Sequence, residues 1–364
     1  MSFFNSLFII QKMNKKHKVY KVKSKYPIDE LSLSRFIKYV IKQDVVKCHV
    51  AEDDYVFETK TNFIKFISVD ECEKDSVRYN LMMGYFSKSD YPKNITDIPE
   101  LYLNEYFYLN PNEYVVKIEN IFILYNISFK SVEVFAGVVM PKYTTLQQCN
   151  FTKLHEHEQI KLVKDIIIGV INIHKTGYFH GDLKPLNICL DDMLNPRIID
   201  FGMANKIQAV SAFTNSFGFC SPTQMYYWMT DKDNSVAESG EYECEKFTII
   251  DLLLSHHLIK KNNDGFVVID NYMKNDFFTI GLLIFFIFGN KRFFFYNDHL
   301  TGEKNTTRNF IDCYIKFLTN PKEYFEKVVE EIQLPETMLR YAEFYILGFF
   351  PQERNDSTLK SPGF

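Results

Sequence analysis

The feature that most constrains the fold is a change of hydrophobic period near Pro141. Before it, the apolar residues come in short runs rich in Val, Ile, Phe and Tyr. These are DVVKCHV (44–50), DYVFET (54–59), NFIKFIS (62–68), YVVKIENIFI (114–123) and VEVFAGVVM (132–140). Runs of this length and composition read as strands, with a helix expected across 71–86. After Pro141 the period becomes helical. HEQIKLVKDIIIGVINIHKTG (157–177) puts Ile160, Val163, Ile167, Val170, Ile171 and His174 on one face, and Gly177 is a stop signal. Most of the remaining chain reads as helix. A strand-rich part followed by a helix-rich part predicts an α+β architecture.

The chain has 364 residues, a length that suits two lobes, and 46% of them are apolar, ample for a sizeable core. The expected organisation is a small β-rich lobe at 44–143 and a larger helical lobe at 144–364, with an insertion at about 225–271. Residues 1–43 form a basic extension plus a helix. In that extension, residues 11–26 carry seven lysines and no acid. They read as a solvated arm, with a nuclear address or an anion-binding patch as sharper alternatives. From Pro27 on, Leu33, Phe36, Ile37, Val40 and Ile41 recur at helical spacing. The net charge of −4 does not announce nucleic acid as a partner of the chain as a whole, and the basic arm is where one could bind, as the less favoured alternative. The start of the chain lacks the pattern of a secretory signal, and FFTIGLLIFFIFG (277–289) is short for a bilayer and reads as a buried helix, so no membrane partner is expected. The seven cysteines are scattered and form no CxxC pair, which points to a reducing, cytoplasmic setting.

The chemistry is concentrated in YFHGDLKPLNICL (178–190). A positioned carboxylate such as Asp182 can orient and deprotonate an incoming hydroxyl. Lys184 can neutralise charge on a transferring phosphoryl group. The side-chain oxygen of Asn187 can ligate Mg²⁺, but a neutral ligand needs a charged companion, and Asp200 in RIIDFG is available. If NICL and RIID pair as a hairpin across DDMLNP, Asn187 and Asp200 come close together. Positioning plus electrostatics of this kind is what phosphoryl transfer requires.

HGDLKPLN and DFG resemble the catalytic loop and magnesium motif of protein kinases of the eukaryotic-like Ser/Thr type. The resemblance runs over roughly residues 44–360 and implies a bilobal protein-kinase fold that uses ATP and Mg²⁺ on a protein substrate. It implies Asp182 as catalytic base, Lys184 on the phosphate, and Asn187 and Asp200 on the metal, with His180 buttressing the loop. NDFFTIG (275–281) is similar to the segment whose aspartate, here Asp276, hydrogen-bonds the catalytic-loop backbone. VVMPKY (138–143) is similar to the hinge, with Met140 as gatekeeper and Lys142 beside the nucleotide. Lys65 in FIKF matches the lysine that pairs with the α- and β-phosphates. Its acidic partner is expected at Glu73, with Glu71 and Asp75 as alternatives. Ser216 falls where a threonine bridges the catalytic Asp and Lys. His174 reads as a packed core histidine.

The chain also departs from that pattern. No glycine precedes Gly84, so the glycine-rich phosphate cover is missing and the turn near HVAEDD (49–54) stands in its place. Gly181 stands where the family has an arginine that receives an activation-loop phosphate, so switching by such a phosphate is expected to be weak. Ser221-Pro222-Thr223 replaces A-P-E, leaving Gln224 as a candidate neutral partner for Arg354. The insertion reads as a surface excursion, with a substrate-docking element as the alternative. Three functions follow: a Ser/Thr protein kinase, a pseudokinase acting as a binding module, and a small-molecule kinase of the aminoglycoside or choline type. HGD also occurs in the vaccinia-related branch of the casein-kinase group, and the abundance of Phe, Tyr, Asn, Lys and Ile suits an AT-rich, for instance viral, genome. For a viral chain the setting would be the host cytoplasm or nucleus.

Overall fold

The computed structural model describes residues 8–13, 18–22, 28–51, 54–73, 99–127, 131–207, 218–230, 242–262, 265–268, 273–295 and 306–352. The chain divides into two compact units, Met1–Tyr143 and Thr144–Phe364. The first is an antiparallel-rich sheet with helices and the second is mainly helical, so the α+β reading holds. Among the described residues, no helix is long and apolar enough to cross a membrane.

The first unit is built on a seven-stranded sheet of β1 (Phe8–Met13), β2 (Lys18–Val22), β3 (Val45–Ala51), β4 (Asp54–Thr59), β5 (Asn62–Glu73), β6 (Asn120–Ile127) and β7 (Ser131–Pro141). Their order is β1-β2-β6-β7-β5-β4-β3, with only the β2–β6 pair parallel. Helix α1 (Glu30–Phe36) starts at Asp29, whose carboxylate accepts the Ser32 N–H at 2.8 Å. A π-helical turn, Ile37–Ile41, continues it. The apolar stripe expected there is real: Leu33, Phe36 and Ile37 are fully buried. Phe36 meets Phe66 and Phe122, and Phe66 meets Phe57, with ring centres 5.1–6.2 Å apart. Gly137 pairs with Phe66 on one side and Phe122 on the other, and a Cβ there would lie 2.1 Å from the Phe122 ring. Only glycine leaves room for that aromatic layer.

Two expectations for this unit are corrected. The basic arm lies partly in two strands, β1 and β2, of the sheet. Its lysine count conceals an apolar anchor, Tyr20, which is buried and packs on Phe36 and Phe122. The helix expected from residue 71 is replaced at its start by strand, because β5 stays paired with β7 as far as Glu73↔Ser131. Residues 74–86 lie outside the described residues. A further helix, α2 (Pro99–Leu109), buries Leu101, Leu103 and Phe107.

In the second unit, β8 (Thr144–Thr145) leads to α3 (Glu156–His174), which opens with a capping box between His155 and Glu158. The short strands β9 (Tyr178–Phe179), β10 (Ile188–Leu190), β11 (Pro196–Ile198) and β12 (Asn205–Lys206) follow, and then α4 (Pro222–Thr230). The insertion supplies α5 (Glu243–Ser255) and the hairpin β13 (Ile259–Asn262) and β14 (Gly265–Val268). Helix α5 is tied into the unit: it buries Ile249, Ile250 and Leu253, and Glu245 pairs with Arg308 at 3.6 Å. Helix α6 (Met273–Phe288) contains the apolar stretch read as a buried helix, and Phe278 to Ile287 are buried without a break. Helices α7 (Thr306–Thr319), α8 (Pro321–Glu331) and α9 (Glu336–Ile346) complete the unit.

Candidate active site

The two short strands around DDMLNP pair as the hairpin the sequence implies, with Ile188↔Ile198 and Leu190↔Pro196 in register. Asp191 organises the turn by accepting from Met193 N–H, Asn195 N–H and Arg197. One step beyond the ladder, Ile199 N–H donates to Asn187 C=O at 2.9 Å. The backbone therefore delivers Asn187 and Asp200 to the same end of one hairpin. Asn187 is buried and Asp200 is exposed. Asp200 has φ 63°, a left-handed conformation uncommon outside glycine and enriched at functional sites.

The catalytic-loop candidates converge on one carboxylate oxygen. Lys184 Nζ donates to Asp182 Oδ2 at 2.7 Å and Asn187 Nδ2 donates to it at 3.0 Å. Asn187 Nδ2 also donates to Asp182 C=O at 2.9 Å. With its amide nitrogen directed at Asp182, Asn187 has its Oδ1 as the atom that could meet a cation. Asp200 adds a carboxylate. Two hard oxygen donors fit magnesium, which fills the rest of its shell with water and phosphate oxygens.

Below the loop, His180 is fully buried. Its Nε2 faces the Ile199 carbonyl at 3.0 Å and its Nδ1 faces the Asp182 N–H at 3.2 Å. A carbonyl can only accept and an N–H can only donate, so the partners assign the proton to Nε2. The ring thus ties the backbone before Asp200 to the backbone of Asp182. Asp276, at the start of α6, is also buried. Its Oδ2 accepts the His180 N–H at 2.8 Å and its Oδ1 the Gly181 N–H at 3.0 Å, while His174 Nε2 lies 2.7 Å from Oδ2. Burial pushes the Asp276 pKa up. The His174 hydrogen bond and charge, with the His180 N–H, outweigh it and hold the carboxyl below its ordinary value. His174 is a packed core group that orients this aspartate.

The segment before α4 is anchored to the same helix. Ser221 Oγ and Thr223 Oγ1 donate to Asn275 Oδ1 at 2.6 and 2.7 Å. Thr279 Oγ1 donates to the Phe219 carbonyl at 3.0 Å. Gln224 reaches the Asp182 loop. Its Nε2 donates to the Gly181 carbonyl at 2.9 Å. Arg354, Ser211, Thr214 and Ser216 lie outside the described residues.

In the first unit, Lys65 sits on β5 with its side chain 14% exposed. Its ammonium lies 2.7 Å from Glu100 on α2 and 3.3 Å from Asp54 on β4. This corrects the expected partner. Glu73 and Glu71 belong to strand β5, where no helix brings them back to Lys65, and Asp75 lies outside the described residues. Glu100 gave no local signal, because 35 positions separate it from Lys65. Asp54 did have one. Val56 pairs with Lys65, and residues two apart on a strand share a face, so the hairpin register puts Asp54 diagonally beside Lys65.

The segment VVMPKY is largely committed to its own unit. Met140 C=O accepts from Asn62 Nδ2 at 3.1 Å, and Lys142 N–H donates to Thr61 C=O at 2.9 Å. The Lys142 ammonium pairs with Glu58 and lies 6.0 Å from the Phe63 ring centre. The backbone N–H and the ammonium of Lys142 are thus engaged by neighbouring residues of the same unit.

Residues 66–235, just under half of the chain, match the family model described as "Protein kinase domain". Relatives match over shorter stretches. The chain is 53% identical to the yeast serine/threonine-protein kinase GIN4 over 51 residues, 14% of this chain and 4% of that protein. It is 35% identical to serine/threonine-protein kinase 1 of African swine fever virus over 81 residues, 21% of this chain and 27% of the relative. It is 42% identical to the hormonally up-regulated neu tumor-associated kinase homolog B of Xenopus laevis over 53 residues, 15% of this chain and 8% of the relative. The aligned stretches therefore span about a quarter or less of each relative's length. With the α+β architecture and the HGDLKPLN and DFG motifs, these matches support a protein kinase domain of the eukaryotic-like serine/threonine type.

Proposed function

We propose that the protein transfers the γ-phosphate of ATP to serine or threonine hydroxyls of a protein substrate in a magnesium-dependent reaction. The observation that carries this reading is the convergence of Lys184 and Asn187 on Asp182 Oδ2. In that arrangement Asp182 orients the incoming hydroxyl and takes its proton. Lys184 is the cation that can turn from Asp182 to the transferring phosphoryl group. Asn187 and Asp200 are the residues that would hold magnesium, whose charge offsets that of the phosphates. Asp276 and His180 keep the loop backbone from relaxing. In the first unit, Lys65 meets the α- and β-phosphates with Glu100 as its acid, and Met140 is the gatekeeper beside the adenine.

Gly181 supports independence from activation-loop phosphorylation. It has φ +80°, and a Cβ there would lie 2.6 Å from the Met203 carbonyl, so this backbone has no place for a phosphate-binding arginine. Replacing Ser211 and Thr214 together with Ala should leave turnover within a few-fold of wild type; near-complete loss would refute this part of the reading.

The second reading is a binding module with little ATP turnover. The Asp54 carboxylate beside Lys65 favours it, since it opposes phosphate in a lobe without a glycine-rich cover. Labelled ATP and a panel of acidic and basic proteins separate the two. A kinase incorporates label on Ser or Thr and loses it with Asp182→Asn. A binding module incorporates none with Asp182 intact.

A further inference from the structure

Helix α4 begins with Ser221-Pro222-Thr223-Gln224. The Ser221 N–H donates to Gln224 Oε1 at 2.9 Å, and the Gln224 N–H donates to Ser221 Oγ at 3.3 Å. This is a reciprocal capping box with proline in the first helical turn. A glutamate at position 224 would close the same box. Glutamine differs in having a spare N–H₂, and here that group is buried and donates to the Gly181 carbonyl.

That carbonyl belongs to the peptide joining Gly181 to Asp182. The other end of the same peptide, the Asp182 N–H, is held by His180 Nδ1. The preceding N–H, of Gly181, is held by Asp276. With its oxygen held by Gln224 and its nitrogen by His180, the peptide plane is fixed. The plane in turn sets the direction in which Asp182 leaves the backbone. The contacts close into a ring: Gly181 to Gln224, Gln224 to Ser221, Ser221 to Asn275, and Asn275 through its neighbour Asp276 back to Gly181. Two adjacent residues of α6 thus hold the two loops, and Gln224 closes the side between them.

We propose that Gln224 is a positioning residue for the reaction: its side-chain amide clamps the Gly181–Asp182 peptide and so aims the Asp182 carboxylate, without any charge or phosphate. This rests on the proposed role of Asp182. Neither Ser221 nor Thr223 can substitute, because both hydroxyls are committed to Asn275.

The test compares the full-length chain with Gln224→Glu, which keeps the capping acceptor but loses the donor, and with Gln224→Leu, which removes both without adding charge. Three quantities are measured: kcat and the ATP KM, thermal unfolding, and amide hydrogen exchange of the peptide covering 178–188. Both variants should lose about tenfold in kcat, the scale of one buried hydrogen bond left unmade. Their ATP KM should stay within about twofold, and exchange over 180–183 should be faster than in wild type. If Gln224→Glu does not fold, Gln224→Leu carries the comparison. Unchanged exchange in a folded variant overturns the clamp, and so does a kcat loss that merely follows a fall in melting temperature. A wild-type chain without turnover overturns the kinase reading instead, and the exchange experiment still decides the clamp.

Discussion

The catalytic loop of the second unit and the Lys65 corner of the first are organised in opposite ways. Around Asp182, each group has a partner of complementary kind: Lys184 and Asn187 donate to the carboxylate, and Asp276 receives the loop N–H groups. Around Lys65, two carboxylates approach one ammonium, and one of them, Asp54, stands beside the turn where a phosphate cover would be expected. The first arrangement is matched and closed. The second carries an excess of negative charge that a nucleotide must displace or tolerate. Preorganised dipoles lower a barrier without reorganising, whereas a competing acid sets how tightly an anionic ligand is held. The loop should therefore govern rate, and the Lys65 corner should govern nucleotide affinity.

The strongest way to break this comparison is Asp182→Asn. Turnover should fall by roughly 10²–10⁴ with little change in ATP binding, measured by label incorporation and by ATP-dependent thermal stabilisation. If ATP binding fell equally, the loop would not be a rate device. Next is Asp276→Asn. Removing a buried charge that pairs with His174 and holds two N–H groups should cost about 3–5 kcal/mol in denaturant unfolding. The pH dependence goes with it. A carboxyl held below its unfolded value stabilises the fold fully above that value, and this contribution disappears as pH falls through the folded pKa. Wild type should therefore show a steeper loss of stability below about pH 4 than the variant does.

At the Lys65 corner the effects should be smaller and should act on KM. Glu100→Gln should raise the ATP KM by about tenfold, since the acid that orients the lysine is lost. Glu73→Gln should change it less than twofold, and equal effects would argue for a different pairing when nucleotide is bound. Asp54→Asn should have the smallest effect and the opposite sign. Relieving Lys65 of a competing acid should lower the ATP KM by a few-fold, the scale of a partly exposed ion pair. An increase instead would make Asp54 a nucleotide-supporting group and erase the contrast between the two regions.

Legibility in the sequence followed the distance over which each feature is built. The hairpin joining Asn187 to Asp200 is local, and its register is set by a turn whose Asp191 and Asn195 can be read directly. The long helix α3 was visible because its periodicity extends over several turns, and α6 because its apolar run is unbroken. The pairing of Lys65 with Glu100 was not visible, because 35 positions separate the two residues. Tyr20 was hidden by the lysines around it, although alternation along β2 puts it on the core face. The role of Gln224 was also missed. The S-x-x-Q pattern was there to read, but the spare amide has meaning only once the Gly181 carbonyl is opposite it.

The sequence by itself determined the architecture class, the hairpin that brings Asn187 and Asp200 to one end, and the absence of a glycine-rich cover before Lys65. These depend on spacing and on the conformational limits of a few neighbouring residues. The tertiary structure alone decided which acid meets Lys65 and what the glutamine at the start of α4 does. A hydrogen bond or ion pair needs two groups within about 3 Å of each other, and for groups far apart in the chain only the packed strands and helices create that proximity.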